Sequence, residues 1–261
     1  MVIGIDKFRE RFAGFEDNYV VIGGAACDWL MSHTPGAFPF RATHDIDLVI
    51  CAETMTPAFG NAVWSFVRDG GYSVYERKDG PKSFFRFLNP STSGYPSMLE
   101  FFAREPLTFP LVQKTTIVPI PIGDDISSLS GILLDKNYYS FIRSLRRTVD
   151  GICVLSTEAL LLLKARAWKD FADRKSRGEF VKEKDLRKHR LDIIRLLATI
   201  PEATQIRISE PLYNDFGEFL STYAQNPTDP AALEITMTFD DVLSRLRSLY
   251  IPDLSQRSRT S

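Results

Sequence analysis

Up to about residue 150, apolar positions come in short runs and alternations of strand length. "YVVIGG" (19–24) is an apolar run ending at paired glycines, and "AACDWLMSH" after it can form a helix, which together predict a strand, a tight turn and a helix. "DIDLVIC" (45–51) reads as a second strand, "TPAFGNAVWSFVRDGG" (56–71) as a helix closed by Gly70 and Gly71, and "YSVYER" (72–77), "SFFRFL" (83–88) and "SMLEFFA" (97–103) as further strands. Prolines from Pro90 to Pro96 and from Pro106 to Pro121 mark loops or edge segments. Several strands against few helices predict an α+β fold with a mixed sheet over residues 1–150.

From "GICVLS" onward the rhythm becomes helical. Ser156 can cap "TEALLLLKARAWKDFADRKSRG" (157–178), in which Leu160, Leu163, Ala167 and Phe171 recur at helical spacing. "EKDLRKHRLDIIRLLATI" (183–200) aligns Leu186, Ile193, Leu197 and Ile200 on one stripe, and "SEPLYNDFGEFLSTYAQ" (209–225) and "DPAALEITMTFDDVLSRLRSLY" (229–250) predict two more amphipathic helices. Residues 151–253 thus read as a helical bundle domain, and 254–261 as a polar tail expected to be disordered.

Composition narrows the class. With 261 residues, 44% hydrophobic and 25% charged, the chain suits a soluble globular protein. Lys and Arg number 32 against 33 Asp and Glu, so any attraction to nucleic acid must be local. Cys27, Cys51 and Cys153 are widely spaced among apolar residues, which fits reduced core thiols rather than disulfides or a zinc site. No signal peptide or membrane-spanning window is read, so a cytoplasmic location without membrane partners is expected.

The candidate chemistry centres on Asp45 and Asp47. Residues two apart on a strand share a face, so these carboxylates stand side by side, and burying both without partners would cost several kcal/mol each. Magnesium, which takes hard oxygen ligands and substrate phosphates, is one way to compensate them. Glu100, also an acid inside an apolar run, is the choice for a third carboxylate that would complete a two-ion site. The plainer reading is a polar strand edge whose acids bind backbone or arginine. Upstream, Gly23 and Gly24 would let backbone N–H groups approach a phosphate at the positive end of the following helix. Neither a P-loop nor a dinucleotide fingerprint is present.

The set "VVIGGAA", "RATHDIDLVI" and "MLEFFAR" resembles the nucleotidyltransferase superfamily, in which a Gly-Gly or Gly-Ser turn precedes an acid pair on the next strand and a third acid on a later one. "LLLKARAWKDFADR" and "EKDLRKHRLDIIRLL" are similar to the helical half of its AbiEii-like, type IV toxin–antitoxin branch. The resemblance spans residues 19 to 200. It implies an NTP as substrate, Mg2+ as cofactor on Asp45, Asp47 and Glu100, and nucleotide contacts from Gly23, Gly24, Ala25, Arg41, Thr43, Lys164, Lys184, Lys188 and Asp192. Ala25 stands where the superfamily often has Ser.

Residues 164–190 carry eleven Lys or Arg against five acids, a local positive excess. Lys164 follows four leucines and precedes Trp168, so its stem should be packed while its ammonium reaches a defined spot, either phosphates or a place beside a core stripe. Lys188 and Asp192 are one helical turn apart, where ion pairing is the simpler role. His44 falls on the strand face opposite the acids.

The reading that follows is a Mg2+-dependent nucleotidyltransferase moving a nucleotide from an NTP to a macromolecular acceptor, tRNA or protein, as the toxin of a toxin–antitoxin system with a cognate antitoxin. The alternatives are a catalytically degenerate nucleotide- or partner-binding protein, which Ala25 favours, and a metal-dependent nuclease using the same acids.

Overall fold

The computed structural model describes residues 2–37, 39–74, 84–103 and 135–254. The expected strand beyond Val74, the prolines from Pro106 to Pro121 and the tail from residue 255 lie outside these. The described residues fall into two compact units, one ending at Ser156 and the other beginning at Thr157.

In the first unit, seven described strands form one mixed sheet: β1 (Tyr19–Ile22), β2 (Asp45–Ile50), β3 (Ser73–Val74), β4 (Phe84–Leu88), β5 (Met98–Phe102), β6 (Arg146–Val149) and β7 (Ile152–Leu155). Their spatial order is β3-β4-β5-β2-β1-β7-β6. β2 runs antiparallel to β1 and parallel to β5, β4 and β5 are antiparallel, and β1 and β7 are parallel. All four residues of β1 are buried, as its central position demands. The strands read from "YVVI", "DIDLVI", "SFFRFL" and "SMLEFFA" are all present, and the fold is α+β.

Alternation sorts the strand residues onto two faces. One carries Tyr19, Leu48, Phe87 and Phe101, and aromatic side chains cover it. Tyr19 meets Phe8 of α1 (Ile5–Arg11) at 5.3 Å between ring centroids and stacks on Phe59 of α3 (Pro57–Gly70) at 6.4 Å, while Trp64 of α3 meets Phe87 edge-on at 5.9 Å. The ends of α3 follow its sequence. Thr56 Oγ1 accepts from the Phe59 N–H at 3.2 Å, Pro57 opens the first turn, and Gly71 closes the helix in the left-handed region at φ 63°. The opposite face carries the paired residues Ile22, Asp47, Glu100 and Arg86. α2 (Gly23–Ser32), buried along almost all of its length, follows β1 directly, and α4 (Lys136–Ser144) is capped by Asp135.

The second unit contains α5 (Thr157–Ser176), α6 (Glu183–Thr199), α7 (Glu210–Ala224) and α8 (Phe239–Leu249). Its core gathers Trp168 against Tyr223 at 5.2 Å and Phe219 at 5.8 Å, with Phe216 against Tyr250 at 4.6 Å. One expectation needs correction. The helix read over 229–250 is broken: a short 3-10 turn at Pro230–Leu233 ends at Glu234, which is left-handed at φ 59°, and α8 starts only after Thr238 and Asp241 form a capping box. Beside its helices the unit carries a short parallel pair, β8 (Ile206–Ile208) with β9 (Tyr250–Pro252). Among the described residues no helix is long and apolar enough to cross a membrane.

Candidate functional site

The acid face is assembled by strand pairing. β1 ends at Ile22, which pairs with Asp47, so the chain leaves the sheet beside that carboxylate. Gly23 makes the exit at φ 67°, a region that disfavours side chains, and α2 begins with it. A Cβ built on Gly23 would collide with Asp47 Oδ2 and lie 3.1 Å from its Cγ. A Cβ on Gly24 would lie 2.9 Å from Thr43 Oγ1 and 3.5 Å from Arg41 Nη2. Absence of side chains at these two positions therefore lets Asp47, Thr43 and Arg41 close on the turn. The first amides of α2 have no acceptor within the helix, and its dipole puts positive potential at the same end. Ala25, next in line, is buried.

Asp45 and Asp47 are half-buried while Ile46, Leu48, Val49 and Ile50 are buried, so the acids occupy the accessible start of β2 rather than a dry core. Glu100 pairs in register with Asp47 across parallel strands, which places their Cα atoms about 4.8 Å apart. Glu100 is only 8% exposed, and Arg86, its partner in register on β4, meets its charge. Arg86 Nε donates to Glu100 Oε1 at 2.6 Å, and Nη2 pairs with the same oxygen. Sequence reading assigns Arg86 no chemical role. Its signal was a single cation at an alternate position within "FFRFL". A second residue it passed over is Asp28, a buried acid one turn beyond Gly24 on α2.

The chemistry of the donors suits a hard divalent cation in part. Asp45 and Asp47 offer adjacent carboxylates on one face, a fit for magnesium. Glu100 is held by Arg86, and among the described residues no three His, Cys, Asp or Glu side chains form a group that could hold a metal ion.

The other four predicted residues lie in the second unit. Lys164 of α5 and Asp192 of α6 meet at 3.1 Å between Nζ and Oδ2, with Lys164 5% exposed and Asp192 fully buried, and Arg195 Nη1 lies 3.6 Å from Asp192 Oδ1. Lys184 and Lys188 are exposed on α6. The basic run is laced with its own acids. Lys169 pairs with Asp173 at 2.6 Å, Arg174 with Glu179 at 2.8 Å, Arg177 with Glu179 at 2.8 Å, and Lys175 with Glu183. Burial raises the carboxyl of Asp170 above its ordinary value, against the pull of nearby Arg174 and Arg166.

No protein-family model and no curated protein matches the chain. Among solved structures, it is similar to an antigenic nucleotidyltransferase-like protein from Paracoccidioides brasiliensis, at 16% identity and a TM-score of 0.46, over 96% of each chain. It is also similar to JHP933 from Helicobacter pylori, at 14% identity and a TM-score of 0.36, over 93% of this chain and 87% of that one.

Proposed function

We propose that this chain is a nucleotidyltransferase that moves a nucleotide from an NTP to a macromolecular acceptor, RNA or protein. The observation that carries the reading is the close approach of the Gly23 turn to Asp47: the N-terminus of α2 lies against the acid pair.

Asp45 and Asp47 would hold Mg2+, which when bound neutralises phosphate charge and binds the leaving oxygens. The amides of Gly23, Gly24 and Ala25, with Arg41 and Thr43, bind and orient the triphosphate. The acceptor hydroxyl attacks the α-phosphorus, the bond from that phosphorus to the bridging oxygen breaks, pyrophosphate leaves, and a carboxylate of this face takes the hydroxyl proton. Catalysis is then largely positioning and charge stabilisation. The AbiEii-like assignment, a toxin role with a cognate antitoxin and a cytoplasmic location belong to the same proposal. Lys164, Lys184, Lys188 and Asp192 enter it through that resemblance.

A second reading, a degenerate nucleotide- or partner-binding protein, is favoured by one observation: the third acid is already committed to Arg86. Incubation with labelled NTPs, Mg2+ and total RNA or lysate distinguishes them. Label transfer that disappears in Asp47→Ala supports the transferase. Nucleotide binding without transfer supports the degenerate protein, and shortened RNA without incorporation supports a nuclease.

A further inference from the structure

We infer that the acid face is built for one divalent cation, held by Asp45 and Asp47, and that Arg86 stands beside Glu100 in place of a second. The inference rests on the reading that this face binds metal, and it deepens that reading by fixing the number of ions and the role of two residues.

Three neighbouring strands carry it. Asp47, Glu100 and Arg86 occupy consecutive register positions across β2, β5 and β4, so their side chains rise from the same face in that order. Glu100 is nearly buried, and a carboxylate there requires a counter-charge. A bridging cation could supply it, but here the guanidinium does, through two contacts to Oε1. That charge is permanent, since arginine does not lose its proton in proteins, and it cannot leave as a metal ion can. A second cation beside Glu100 would have to share the carboxylate with a fixed positive charge on the adjacent strand, or displace Arg86 and strand a partly buried guanidinium. Among the described residues no three His, Cys, Asp or Glu side chains form a group that could hold a metal ion.

One consequence follows: Glu100 is a positioning residue, because the ion pair holds β4 and β5 together beside the acid pair.

The number of ions tests the inference directly. The full chain, free of nucleotide, is titrated with Mn2+ and the free ion is followed by its electron paramagnetic resonance signal. Site ions are counted as those lost in the Asp45→Asn/Asp47→Asn double variant. The wild type is expected to bind one. Arg86→Gln frees Glu100 and should raise the number to two. Arg86→Gln/Glu100→Gln replaces the ion pair with neutral amides of nearly the same shape and should return it to one, with affinity within about threefold of wild type. Two site ions in the wild type, an Arg86→Gln protein that folds yet stays at one, or loss of the ion in the double amide variant would each overturn the inference. If Arg86→Gln does not fold, the wild-type count and the double amide variant still decide. A wild type with no site ion at all would instead remove the metal-binding reading itself, a result distinguishable from the others.

Discussion

The Asp47 carboxylate occupies the space that a side chain on Gly23 would need. A Cβ there would lie 3.1 Å from Asp47 Cγ, and Gly23 is also left-handed at φ 67°. Gly23→Ala should therefore carry two costs, while Gly36→Ala, at φ 74° with nothing within 4 Å of the built Cβ, carries only the backbone one, about 1–2 kcal/mol. The excess loss in Gly23→Ala over Gly36→Ala, read from urea unfolding, measures the displacement of Asp47, and NTP affinity should fall only in the Gly23 variant. Equal losses in both variants would show that the Asp47 contact carries no weight.

The acid pair, the glycine turn and the strands that bear them were legible because period two and the glycine break are local signals: "VVIGG" and "DIDL" contain their own geometry. That Glu100 neighbours Asp47 could be suspected from its type but not established, since register between β2 and β5 depends on a pairing 53 residues apart in sequence. Arg86 was missed for the same reason: its importance lies in facing Glu100, and nothing within "FFRFL" says which strand will lie alongside. The helix read from Asp229 failed because Thr238 and Asp241 supply a stronger start, while Glu234 leaves the helical region before it. Lys164 was recognised as a packed lysine, but its partner 28 residues away, Asp192, emerges only when α5 and α6 are set side by side.

Neutralising either acid of the pair should disable transfer without a steric change. Asp45→Asn and Asp47→Asn keep side-chain shape but remove the charge that holds a cation and its phosphates. Label transfer is expected to fall by about 10²–10³-fold in each, the range seen when one preorganised electrostatic group is lost. Transfer within tenfold of wild type in both variants, measured under saturating Mg2+ and NTP, would exclude the pair from the chemistry.

Alkaline pH should destabilise the fold through its cysteines before its tyrosines. Burial pushes the Cys153 thiol up to about 12, against the opposing pull of Arg146, and raises that of Cys51 as well. An unfolded thiol titrates near ~8.5, so the unfolded chain gains by ionising above that value while the native thiol stays protonated. The contribution is fully present below about pH 8.5 and is lost as pH rises toward 12, at a limiting slope of ~1.4 kcal/mol per pH unit for each such thiol. Buried Tyr19 and Tyr223 are shifted in the same direction, but unfolded tyrosine ionises only near ~10. Urea unfolding at pH 8 and pH 9.5 should thus show a loss that Cys153→Ala reduces, and a thiol reagent should label the native protein slowly at both.

The pair between Lys164 and Asp192 allows stability and function to be separated. With Lys164 5% exposed and Asp192 fully buried, Lys164→Met leaves a buried carboxylate without its 3.1 Å ammonium partner, and a loss of about 3–5 kcal/mol is expected in urea unfolding. Replacing both partners, as Lys164→Met/Asp192→Leu, removes the desolvation cost along with the attraction and should recover most of that stability. Nucleotide affinity in the double variant then distinguishes the two roles for the lysine. A purely structural pair predicts that affinity returns with the fold. A lysine that also serves the nucleotide predicts a protein that unfolds at a wild-type urea concentration and still binds NTP at least tenfold more weakly.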